Sequence, residues 1–226
     1  MKILLALIFN LSMFNAFAQF GAQGQKVLGG TVNFNAGNAI NSLSPEAKSN
    51  FNNAGGSVNI GKFTKINTLR TFSVSYVHGY VKNQATNNSA RNNSNSVFLS
   101  YGITKYKEVA KKLFLGIGGA AYTGYGRVKN YSLTLPDRSE SDGFSFGAYF
   151  FPVGSYQVSE RWVVNVTGSS QFLNVGYGIS TAKSYSPNQP TTKSQTRNFS
   201  LQAGLFGSEL KNITFGFSYL LKNKRK

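Results

Sequence analysis

The stretch Ile213-Thr214-Phe215-Gly216-Phe217-Ser218-Tyr219 puts a large apolar side chain at every other position, with a small or polar one between. A period of two makes it a β-strand with unlike faces. Aromatics on one face with Gly, Ser and Thr on the other invert the soluble pattern, because the small polar face must fill an interior while the apolar face meets something apolar. Lipid meets that requirement.

The start of the chain agrees: Lys2 precedes an apolar run from Ile3 to Phe9, and Ala16-Phe17-Ala18 has the small-x-small pattern of a cleavage site. Residues 1–18 read as a secretory signal peptide cut before Gln19. No later window approaches ~20 consecutive apolar residues, so no spanning helix is expected in the rest of the chain. With no cysteine, lipoprotein anchoring and disulfides are excluded. Residues 19–226 suit one β domain.

Composition points the same way, since 24 Gly, 19 Phe and 12 Tyr stand against 7 acidic residues. Strands and aromatic bands are favoured over helices. Only 41% of the chain is hydrophobic, a soluble-looking average, but a barrel wall is apolar at alternate positions only. The net charge of +17 falls to +16 when Lys2 leaves with the signal. Such a surplus draws polyanions, and for an exported chain these are anionic phospholipid headgroups, lipopolysaccharide phosphates or acidic envelope proteins rather than nucleic acid.

Period-two reading predicts strands near 26–35, 55–63, 70–81, 96–106, 113–128 and 143–153, then a seventh from Trp162 whose phase slips near Phe172-Leu173. A β-bulge would account for the slip. Phe199, Leu201, Ala203 and Leu205 stay in phase with Ile213, Phe215, Phe217 and Tyr219, so 197–221 reads as one strand or as two separated by a turn. Even counts favour one, hence eight. Connections after strands two, four and six are short. Those after one, three, five and seven (Asn38–Asn53, Val81–Asn95, Lys129–Asp142, Lys183–Thr196) read as long outer loops. The expected fold is all-β, an eight-stranded antiparallel up-and-down transmembrane β-barrel with both termini in the periplasm.

The Leu28-Gly29-Gly30 opening strand, the Phe215-Gly216-Phe217-Ser218-Tyr219 ending and the signal peptide together resemble the outer-membrane β-barrel domain family, the small OmpA/OmpX-like barrels. The resemblance implies the outer membrane of a Gram-negative bacterium and contact with the barrel-insertion machinery during assembly, through an internal motif at Gly216 to Tyr219. It carries no functional residue. No periplasmic domain is expected after the basic tail 222–226.

This topology sends most cations to the periplasmic end: Lys26 with Lys62, Lys65, Arg70, Lys105, Lys107, Lys111, Lys112, Arg161, Lys222, Lys224, Arg225 and Lys226, against Glu108 and Glu160. They form a candidate surface for outer-membrane lipids or another envelope protein. Almost no charge falls at mid-strand, where a cation on the lipid face costs ~2–4 kcal/mol.

Catalysis finds little support. There is one histidine, and His78 lies in phase with Tyr76 and Tyr80, a girdle position. Arg138 with Asp137, Glu140 and Asp142 reads as a salt-bridged loop after strand five. Gly116-Ile117-Gly118-Gly119 sits inside a strand with no helix following, so it is no phosphate loop. No cofactor or metal is expected. Phe98, Phe114, Tyr122 and Tyr149 point inward among glycines, which predicts a blocked bore. The expected role is structural or surface-interacting and not enzymatic; a small-solute channel or transporter and a secreted soluble β-barrel binder are the alternatives.

Overall fold

The computed structural model describes residues 21–41, 44–84, 89–132, 137–168, 173–187, 189–203 and 213–221. The expected signal peptide 1–18 and the tail 222–226 lie outside them. The regular elements described are all strands: β1 (Lys26–Asn41), β2 (Ser44–Lys65), β3 (Thr68–Gln84), β4 (Ala90–Ala110), β5 (Leu113–Ser132), β6 (Arg138–Gln157), β7 (Trp162–Gly168), β8 (Leu173–Tyr185), β9 (Thr192–Ala203) and β10 (Ile213–Leu220).

Strands β1 to β6 pair antiparallel with their sequence neighbours, and β10 joins β7 to β1, from Val32 opposite Phe215 to Val27 opposite Leu220. A ring results. Both β7 and β8 pair along one edge of β6, and β9 lies beside β8 as β10 lies beside β7. The ten described strands therefore fall on eight staves.

The expected phase slip falls on 169–172, outside the described residues, and the flanking register carries the change of phase. Going from Thr167 to Leu173 the seventh stave advances six residues, while β6 advances three, from Val153 to Phe150. Inward Thr167 is thereby followed by inward Asn174. The segment 197–221, read as one strand or two, contains the end of β9 and all of β10, and 204–212 between them lie outside the described residues.

The outward residues are the predicted ones: Val32, Val58, Phe72, Leu99, Ile117, Phe146, Phe199 and Phe217 are all exposed. This belt is short beside the strands, which reach 22 residues in β2 and 21 in β4. A tilted strand crosses a bilayer core in ~9–11 residues. The staves therefore rise well beyond the belt at one end, here called the upper end, while the lower end carries the tight turns.

The outer segments Asn38–Asn53, Val81–Asn95 and Lys129–Asp142 are thus largely continued strands, paired as far as Asn41, Asn83 and Tyr131. Above the belt both faces meet water, so polar Asn and Ser occupy both and the alternation that marks a strand fades. Among the described residues β9 pairs only with β8, and β1 above Val32 pairs only with β2. Among the described residues the ladder around the ring is complete at the lower end only.

Candidate functional site

At the lower end the inward face turns apolar. Val27, Phe63, Leu69, Phe114, Val163 and Leu220 pack into one cluster, joined by Tyr106, and Phe63, Phe114 and Val163 are 0% exposed. They come from β1, β2, β3, β5, β7 and β10, with Tyr106 from β4, so nearly every stave contributes to a floor. The segment before β1 folds against it: Gly24 N–H donates to the Phe63 carbonyl at 2.7 Å, and Phe63 N–H to that of Gln25 at 2.9 Å. A Cβ on Gly21 would run into the Phe63 ring. Only glycine fits there.

A hydrogen-bonded layer covers this floor. Ser155 Oγ donates to Asn165 Oδ1 at 2.7 Å, Asn165 Nδ2 to Ser218 Oγ at 2.8 Å, and the Tyr106 hydroxyl bonds Ser155 and Thr104. Above it lies a cavity of about 620 Å³ whose lining includes Thr31, Ser57, Ser73, Ser100 and Thr167, with no charged side chain.

The four expected inward aromatics divide. Phe114 belongs to the floor, whereas Phe98, Tyr122 and Tyr149 form a ladder up one wall, continued by Phe151, with ring centroids 5.5–6.2 Å apart. They seat on glycines: a Cβ on Gly124 would overlap the Phe98 ring, and one on Gly118 would overlap that of Phe151. The expected block of rings is corrected to that extent. The wall aromatics leave space, and the floor packs beneath it.

The predicted basic end is partly assembled. Lys62 stands directly opposite Lys26 on one side and Arg70 on the other, a row of three cations across β1, β2 and β3. Lys65 and Lys105 flank Thr68 below it. Lys107 is exposed near the end of β4, and Lys111 and Lys112 make the β4–β5 turn, Lys112 with φ 66°. Arg161 sits apart beside β10, its guanidinium donating to the Tyr219 hydroxyl at 3.0 Å. Lys222, Lys224, Arg225 and Lys226 lie outside the described residues.

Charge is arranged differently at the upper end, where four ion pairs stand together. Arg127 contacts Glu140 at 2.6 Å and Asp142 at 3.4 Å, while Arg138 and Lys129 reach Glu140 at 3.3 and 3.9 Å. Arg138, Glu140 and Asp142 belong to β6 and not to a loop. The sequence reading put them outside the strand because polar residues occupy both faces there. Asp137 does sit in the connection, accepting from Ser186 at 2.7 Å. The Arg127 guanidinium holds the Glu140 carboxyl below the usual carboxylate range, chiefly by direct hydrogen bonding.

His78 Nδ1 lies 2.9 Å from Asn95 Oδ1, which also accepts from the Tyr76 hydroxyl at 2.7 Å. Among the described residues no group of acids and imidazole is placed to hold a metal.

No family model and no curated protein matches this sequence. Among solved structures, a major outer membrane protein of Thermus thermophilus aligns over 88% of this chain and 98% of its own, with TM-score 0.50 and 6% identity. The outer membrane protein AlkL aligns over 94% and 97%, with TM-score 0.36 and 13% identity. The first likeness, with the closed antiparallel ring, shows the fold of outer-membrane β-barrels.

Proposed function

We propose that the chain is an integral outer-membrane barrel of the small OmpA/OmpX-like kind, non-catalytic and sealed to solutes, acting structurally or through its raised outer hairpins. The observation that carries this reading is the apolar floor, with Phe63, Phe114 and Val163 at 0% exposure. Water and ions have no low-energy route through a closed-packed hydrocarbon layer. The short-turn end, with its cation row, faces the periplasm; the hairpins face outward.

Exposure of Leu99, Phe144, Phe199 and Phe217 argues against a secreted soluble binder, since so continuous an apolar belt would aggregate in water. The uncharged cavity of about 620 Å³ favours, as second reading, uptake of a small polar solute. That reading requires the floor to move. Planar-bilayer recording on the refolded protein decides: the sealed barrel shows no steps above baseline at either polarity, and regular conductance steps would replace it with the channel.

A further inference from the structure

The outward face above the belt is basic in an ordered way. Register sets Phe146, Tyr177 and Phe199 in one row across β6, β8 and β9, and Phe144, Ile179 and Arg197 in the next row up. Two rows higher come Glu140, Lys183 and Lys193. Lys183 and Lys193 face each other directly, and neither pairs with a carboxylate among the described residues, since Glu140 is engaged by Arg127, Arg138 and Lys129. Opposed like charges cost stability unless an anion lies between them.

From these observations we infer that the outer face of β6, β8 and β9 binds a multiply phosphorylated glycolipid of the outer leaflet. Its acyl chains lie on Phe144, Phe146 and Phe199, one phosphate meets Arg197, and another meets Lys183 and Lys193. The inference rests on the membrane orientation given above.

Depth selects the ligand. Arg197 and Lys193 are four residues apart, ~14 Å along a strand, or ~10 Å along the membrane normal at a tilt of ~40°. A simple phospholipid holds its phosphate in one thin layer at the top of the apolar belt and reaches Arg197 alone. A sugar headgroup with phosphates at two heights reaches both sets. Ammonium and guanidinium groups are suited to such phosphates by charge-assisted hydrogen bonding.

The test uses full-length protein in nanodiscs of phosphatidylcholine carrying either a bis-phosphorylated disaccharide lipid, its dephosphorylated form, or phosphatidylglycerol, with retained lipid counted by native mass spectrometry. The bis-phosphorylated lipid is expected to be retained at least tenfold over both others. K183Q/K193Q should erase its advantage over phosphatidylglycerol, while R197Q should weaken both anionic lipids. Equal retention of the two anionic lipids, indifference to K183Q/K193Q, or displacement by millimolar inorganic phosphate would overturn the inference. Heat-modifiable migration in detergent gels checks that each variant is a folded barrel. Wild type lacking that migration would instead sink the membrane reading.

Discussion

The two ends of this barrel solve opposite problems. At the lower end the hydrogen-bonded ring is complete through β10 and β1, the interior is apolar, and cations stand opposite cations. At the upper end β9 and β1 share no ladder among the described residues, and charges are mixed: Glu140 and Asp142 lace Arg127, Lys129 and Arg138, while Lys183 stands opposite Lys193 and Lys82 opposite Arg91. Among the described residues, closure and packing are thus concentrated at the lower end, beside a cation row with no ion-paired carboxylate. Packing in the floor offsets the cost of a cation row whose like charges stand opposed.

The harshest way to break that contrast is to interrupt the closing strand. Phe217 pairs with Gly30 on one side and Val164 on the other, so proline there removes a ladder bond inside a fully paired strand. F217P is expected to give no heat-modifiable band at all. Proline at Thr196, in β9, which among the described residues pairs only with β8, should leave a folded barrel, and equal loss from both would erase the difference between the ends.

Next in size comes the floor. Phe63 and Phe114 are fully buried, so F63A or F114A should each cost about 3–5 kcal/mol, read as a lower urea midpoint in bilayers, and together they should admit ions. Phe98 is only partly buried beside the cavity. F98A is expected to cost less than half as much, with no conductance. A larger loss from F98A would move the structural centre to the wall.

A smaller effect tests the cation row. Lys26, Lys62 and Arg70 lie in register with like charges opposed, so K62E should raise the denaturation midpoint in neutral detergent and lose that gain in high salt. In bilayers rich in anionic lipid the sign should reverse. A partner protein rather than lipid would leave the two media alike.

Much of this was legible because period-two alternation survives wherever one face meets lipid and the other a packed interior. Leu28 to Phe34, Phe72 to Tyr76 and Phe144 to Phe150 declare their faces from residue type alone. The slip near Leu173 was legible as a change of phase. The floor was not, although its signal was present: Val27, Phe63, Leu69 and Val163 are apolar residues in the inward phase at strand ends, where Ser, Thr or Gly is otherwise the rule. Only register reveals that they meet at one height. Glu140 and Asp142 were misread for the converse reason, since a hairpin standing in water has no apolar face to mark its period.

The smallest expected effect concerns the upper ion pairs and runs through pH. Arg127 lowers the Glu140 pKa in the folded barrel, so the unfolded chain binds a proton at this carboxylate more readily than the folded one does. The pair's stabilisation is therefore complete above the ordinary glutamate range, ~4.3, and fades as pH falls through that value toward the lower folded pKa. E140Q should remove this acid-side slope while barely moving the midpoint at pH 7, because exposed pairs contribute little. It also leaves Arg127, Lys129 and Arg138 with Asp142 as the one carboxylate, among the described residues, paired with any of them, bringing the upper end closer to the lower one. If the comparison holds, E140Q gains affinity for anionic bilayers at neutral pH as acid sensitivity is lost. An unchanged acid slope would place that titration elsewhere in the barrel.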